Sequence, residues 1–92
     1  MIRSFRDKDT EGIFRQQRVR RLQNIERIAL RRLVQIDSAS ELRDLASPPA
    51  NRLEALKGDR AGQYSVRIND RYRVCFRWKD GDAFDVEITD YH

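Results

Sequence analysis

The hydrophobic period of this chain changes at Ser47-Pro48-Pro49, and that break constrains the architecture more than any other feature. Before it, Leu22, Ile25, Ala29, Leu33 and Ile36 recur at helical spacing, with Arg20, Arg27 and Arg31 largely off the stripe, which predicts a helix over 20–36. After it, apolar and polar residues alternate. Tyr64, Val66 and Ile68 alternate with Ser65, Arg67 and Asn69, and Tyr72, Val74, Phe76 and Trp78 with Arg71, Arg73, Cys75 and Arg77. Phe84, Val86 and Ile88 do the same with Asp85, Glu87 and Thr89. One helical half followed by one strand half predicts an α+β fold, an antiparallel sheet with the N-terminal helices packed on one face. No linker or repeat divides residues 1–92, so they are read as a single domain.

Smaller elements fill the frame. Ile2–Phe5 reads as a short strand, and Asp7 or Asp9 can cap a helix running to about Arg15, which Gly12 weakens. Ser38-Ala39-Ser40-Glu41 fits a capping box that opens a short helix through Leu42 and Leu45. The prolines end it, because proline cannot extend a helix. Leu53 and Leu56 anchor a short strand or extended segment before a Lys57-Gly58-Asp59-Arg60 turn, and Asn69-Asp70 and Asp80-Gly81 are hairpin turns. Matching apolar faces places Ile68 opposite Tyr72, Val66 opposite Val74 and Tyr64 opposite Phe76. Arg67 then lies opposite Arg73 on the other face. A three-residue loop, Lys79-Asp80-Gly81, would bring Glu87 beside Arg73. The polar face then reads in two ways: an Arg-Glu-Arg ladder, or a guanidinium pair awaiting a phosphate.

Charge points to a partner. The net charge is +4, from 19 basic and 15 acidic residues. Residues 15–32 hold seven arginines and one acid, residues 52–79 hold eight basic and three acidic groups, and the last thirteen residues hold five acids and no Lys or Arg. Two basic zones suggest an anionic partner, with nucleic acid first. No apolar run exceeds three residues, whereas a membrane span needs about 20, so no membrane association is expected. The start lacks an apolar leader segment, and the single Cys75 reads as a buried thiol, which together suit a reduced, cytoplasmic protein. One His and one Cys cannot build a usual zinc site, and no phosphate-binding glycine motif or nucleophile elbow is present, so no metal or cofactor is expected.

The one histidine, His92, closes an Asp90-Tyr91-His92 triplet at the end of a predicted strand. With the arginines of the neighbouring strands it suits metal-free RNA cleavage. That reaction needs a base for the 2′-hydroxyl proton, an acid for the 5′-oxygen, and cations around the transition state. His92 can serve as base or acid, since an unperturbed imidazole titrates near ~6.5. Asp90 and Glu54 are the carboxylate candidates, and Lys57, Arg67 and Arg73 the phosphate-binding cations. Tyr91 can stack on a base. A plain nucleic-acid-binding module with no activity would present similar basic strands.

Three stretches carry a resemblance: Asn51 through Arg60, with its Leu-Lys-Gly-Asp-Arg turn; Gln63 through Phe76; and Val86 through His92. Together they resemble the HigB toxins of the RelE/ParE toxin–antitoxin superfamily, across essentially the whole chain. The resemblance implies a RelE-like microbial ribonuclease fold and a ribosome-dependent messenger-RNA interferase. It implies as partners a HigA-type helix-turn-helix antitoxin, the ribosome and messenger RNA, with operator DNA reached only through the antitoxin. By position, Asp90, Tyr91, His92, Lys57 and Arg73 match the family's proposed active site, and Arg67 a basic strand position of the wider superfamily. Some members carry histidine where this chain has Glu54, which would leave His92 more of the proton transfer. The alternative within the superfamily is a ParE-like toxin that poisons DNA gyrase without cleaving RNA.

Overall fold

A computed structural model describes residues 1–90. Helix α1 spans Lys8–Phe14 and α2 spans Glu26–Ser38. Strands β1 (Glu54–Ala55), β2 (Tyr64–Arg67), β3 (Tyr72–Lys79) and β4 (Asp82–Asp90) form one antiparallel sheet in sequence order. Both helices pack on one face of it, which is the expected α+β arrangement. The core lies between these layers. Ala29, Leu33 and Ile36 of α2 meet Val66, Val74, Phe76, Val86 and Ile88 of the sheet, all of them buried.

Local chemistry explains where each helix starts. Asp7, not Asp9, caps α1: its carboxylate accepts from the Thr10 backbone N–H at 3.0 Å and from the Thr10 hydroxyl at 2.6 Å. Helix α2 begins later than periodicity predicts, because Arg20–Leu22 is a separate 3-10 turn. The Leu22-to-Ile25 step of three residues suits either helix type, and no capping side chain marks the break. The expected capping box is also displaced. Helix α2 runs through Ser38, and the box is Glu41 with Asp44, whose carboxylate accepts the Ser40 and Glu41 N–H groups at 3.0 Å. It opens the 3-10 helix Leu42–Ala46.

Ile2–Phe5 forms bridges rather than a regular strand, running parallel along the outer edge of β4. Arg3 N–H donates to the Ala83 carbonyl at 2.7 Å and Arg6 N–H to the Val86 carbonyl at 2.9 Å. Further along, the Ile88 N–H donates to the buried Thr10 hydroxyl at 2.9 Å. These contacts satisfy an edge that would otherwise invite pairing with another chain.

The β2–β3 register is as expected, with Tyr64, Val66 and Arg67 opposite Phe76, Val74 and Arg73. The β3–β4 register is not. Lys79 pairs with Asp82, so the loop has two residues, Asp80 and Gly81, both at positive φ. Between the Arg77–Phe84 and Cys75–Glu87 pairs, Phe76 on β3 faces both Asp85 and Val86 on β4. Asp85, at φ 53°, is the extra residue of this β-bulge. Each departure slides β4 by one position, so Thr89 rather than Glu87 faces Arg73, and Glu87 faces Cys75. The predicted Arg67–Arg73–Glu87 ladder therefore does not form.

Candidate functional site

Alternation leaves the helix-free face of the sheet polar, and its centre is Arg73. Its Nε donates to the Ser65 hydroxyl at 2.7 Å and its Nη2 to the Arg52 carbonyl at 2.7 Å. The same nitrogen lies 3.3 Å from a Glu54 carboxylate oxygen. Only 12% of the Arg73 side chain is exposed, and Ser65 beneath it is fully buried. Sequence sets up this cradle. Glu54 on β1 is in register with Ser65 on β2, while Arg52 takes a left-handed conformation (φ 45°) that ends the Pro49–Asn51 turn. The guanidinium is thus oriented before any ligand arrives, which lowers the cost of binding an anion there.

The like-charge pair that register predicts is present, and each guanidinium has partners of its own. Arg67 pairs with Asp70 in the following turn, and its carbonyl accepts from Arg32 Nε of α2 at 2.8 Å. Burial lowers the Arg32 pKa, and the Arg31 and Arg67 charges add to that effect. Lys57 is exposed immediately before Gly58, which sits at φ 63°, and forms no ion pair among the described residues. Lys57, Glu54, Arg67 and Arg73 all belong to the β1–β3 side of the molecule.

Asp90 pairs with Tyr72 across the strands, one step beyond the Arg73–Thr89 pair. Its carboxylate accepts from Arg71 Nε at 2.9 Å and lies 2.8 Å from Arg71 Nη2, which raises the Arg71 pKa. Tyr91 and His92 lie outside the described residues.

A second polar cluster was not legible from the sequence. Glu87, on the same face, accepts from Arg60 Nη2 at 3.0 Å and from the Thr89 hydroxyl at 2.8 Å, and pairs with Arg6 Nε at 3.2 Å. Burial pushes its carboxyl upward, but the Thr89 and Arg60 hydrogen bonds and the Arg60 and Arg6 charges outweigh that and hold it below the usual range. Arg60 also donates to Gln63 at 3.0 Å. This cluster ties the Gly58–Arg60 turn, which follows Lys57, to β4. Cys75 next to it is fully buried; burial raises its thiol pKa, making it an inert core residue as expected.

Comparison with known proteins gives consistent results. A family model for HigB-like toxins, described as RelE-like toxins of type II toxin–antitoxin systems, matches residues 3–92. Toxin HigB-1 of Vibrio cholerae is 38% identical over 90 residues, covering 96% of this chain and 95% of that protein. Endoribonuclease HigB of Proteus vulgaris is 34% identical over 94 residues, covering both chains fully. Among solved structures, the toxin fold recurs in a heterotetrameric YoeB–YefM toxin–antitoxin complex from Staphylococcus aureus, with TM-score 0.57, 17% identity, and 100% and 98% of the two chains covered. A YoeB/ParE toxin from Agrobacterium tumefaciens has TM-score 0.51 at 18% identity over 96% of each chain. At these identities the structural matches speak for the fold.

Proposed function

The chain belongs to the HigB-like family of RelE-like toxins of type II toxin–antitoxin systems, and from that premise we propose that it arrests growth as a metal-free endoribonuclease cutting messenger RNA on the ribosome. The observation that carries this reading is the preset Arg73 guanidinium on a polar sheet face, with Glu54 in contact and Arg67 in register beside it. A relative of full length that is named an endoribonuclease supports it.

In this mechanism Arg73, Lys57 and Arg67 hold the scissile phosphate and stabilise the charge that builds on its oxygens. The substrate's own 2′-oxygen attacks phosphorus as its proton leaves to a base. The bond to the 5′-oxygen breaks as that oxygen receives a proton. His92 moves a proton, Asp90 orients or tunes His92, and Tyr91 positions a nucleotide. Glu54 lies 3.3 Å from the Arg73 guanidinium and offsets part of the positive charge that a phosphate there would meet. The partner that silences the toxin is an antitoxin of the HigA helix-turn-helix type, and work on the ribosome places the protein in the cytoplasm. Among the described residues no helix is long and apolar enough to cross a membrane.

The test is to induce the protein and map new 5′ ends of transcripts. In-frame cuts within translated messages support the reading, and double-strand DNA breaks without such cuts refute it in favour of gyrase poisoning. Replacing His92 by Ala, deleting it, or extending the chain beyond it should each abolish cleavage. Full activity in all three would remove His92 from the mechanism.

A further inference from the structure

The hold on Arg73 has two halves, and the fold secures them differently. Ser65, which accepts from Nε, lies inside β2, where pairing with Glu54 on one side and Cys75 on the other fixes its direction. The Arg52 carbonyl, which accepts from Nη2 at 2.7 Å, belongs to the link between the Pro49–Asn51 turn and β1. Its direction therefore depends on the link itself. Two acceptors on two nitrogens fix both the position of a guanidinium and the rotation of its plane, whereas Ser65 alone would leave that plane free to turn.

Two features of the link cost free energy, and they are adjacent. Arg52 is left-handed at φ 45°, a conformation that glycine or asparagine adopts far more readily than arginine. Its side chain is exposed and forms no ion pair among the described residues, so the side chain supplies no reason for the conformation. The backbone does: in this conformation the carbonyl reaches Arg73 while the chain enters β1 two residues later. Asn51 before it is fully buried. Its amide nitrogen donates to the Leu45 carbonyl at 3.1 Å and the Ser47 carbonyl at 3.3 Å, which ties the link to the end of the Leu42–Ala46 helix. Main-chain bonds complete the anchor, from Asn51 N–H to the Pro48 carbonyl at 2.9 Å and from Arg52 N–H to the Pro49 carbonyl at 3.0 Å. Yet Asn51 Oδ1 is buried with no hydrogen-bond partner among the described residues. A buried oxygen left unsatisfied is expensive, and costs of this kind gather where function needs a fixed geometry.

We propose that Asn51 and Arg52 form a positioning elbow for RNA cleavage: buried Asn51 fixes the link, and left-handed Arg52 turns its carbonyl onto Arg73, so that the guanidinium meets the scissile phosphate in one orientation. Both residues act through Arg73. What the elbow needs from Arg52 is its backbone conformation, not its charge. The inference rests on the ribonuclease reading above and adds two positioning residues to it.

The experiment compares full-length Arg52→Asn and Arg52→Val, each checked for folding by circular dichroism. Both remove the charge; asparagine tolerates φ 45° and β-branched valine opposes it. Message cleavage on programmed ribosomes should be at least about tenfold slower at saturation in the valine variant than in the asparagine variant. The half-saturating ribosome concentrations of the two should agree within about threefold. With Arg73→Ala added to both, the rate ratio should shrink to within about twofold, because the elbow then has nothing to position. Labelling of Arg73 by phenylglyoxal, read by mass spectrometry without ribosomes, should be at least about fivefold faster in the valine variant. Asn51→Ser should repeat the pattern against the parent, and it decides the matter if Arg52→Val does not fold. Equal cleavage rates, or equal labelling, in the folded pair overturn the proposal. So does a rate ratio that survives undiminished beside Arg73→Ala, since the link would then act elsewhere. Failure of the parent to cleave messages strikes the ribonuclease reading instead, and the labelling alone then decides whether the elbow holds Arg73.

Discussion

Replacing Glu87 with Gln tests the polar cluster that holds the Lys57 turn against β4. The Glu87 side chain is 19% exposed and accepts from Arg60 and Thr89 while pairing with Arg6. The amide removes the charge and turns one acceptor into a donor facing guanidinium. A hydrogen bond to a charged group contributes about 1.5–3 kcal/mol. Arg6 is exposed and adds little, so the expected loss is about 1–2 kcal/mol, most of it through Arg60. For a domain of this size each kcal/mol moves Tm by about 4–8 °C. The sign of the pH dependence follows from the lowered folded-state pKa. Stabilisation by the carboxylate is present above the unfolded value near ~4.3 and is lost as pH falls through the folded value. The gap between parent and Glu87→Gln should therefore be full at pH ~7 and close in acid. Urea unfolding followed by Trp78 fluorescence at both pH values measures it. A loss below ~0.3 kcal/mol at neutral pH, or one that persists undiminished in acid, refutes the assignment of this cluster as a structural tie.

Other outcomes follow from single positions. Gly58→Ala meets open space, so its cost is backbone strain alone at φ 63°, about 1 kcal/mol in thermal unfolding, together with weaker RNA binding if Lys57 contacts phosphate. At the bulge, Asp85→Ala should be about 1 kcal/mol less stable than Asp85→Gly, because both lose the Arg77 contact and only alanine opposes φ 53°. Cys75 should resist alkylation by iodoacetamide until the chain is unfolded, since its thiol is buried and its pKa raised. Glu54→Gln should remove the carboxylate charge beside Arg73 and tighten binding of a non-cleavable RNA; weaker binding would argue that Glu54 organises the site rather than offsetting its charge.

Much of this was legible in the sequence because it follows from period and register. Alternation from Tyr64 onward fixed which face is polar, and matching apolar faces placed Arg67 opposite Arg73. Three things escaped. The bulge at Asp85 depends on one residue taking a left-handed conformation, which alternation cannot encode, and it moved Glu87 from Arg73 to Cys75. The grip on Arg73 comes from a buried serine and a main-chain carbonyl, neither of which has a side-chain signature. The Arg6–Glu87–Arg60 cluster joins three distant segments that only the folded chain brings together. Helix boundaries slipped for a simpler reason: Leu22 lies three residues before Ile25, a spacing shared by 3-10 and α geometry.

The central claim is that the Arg73 face cleaves messenger RNA. Its most direct test is a transcript-wide map of new 5′ ends after inducing the parent protein and, separately, Arg73→Ala at equal folded abundance. The account predicts in-frame cuts in translated messages with the parent and a loss of about a hundredfold or more with Arg73→Ala. Cuts of equal frequency from both proteins, or growth arrest by the parent with no cuts at all, would contradict it.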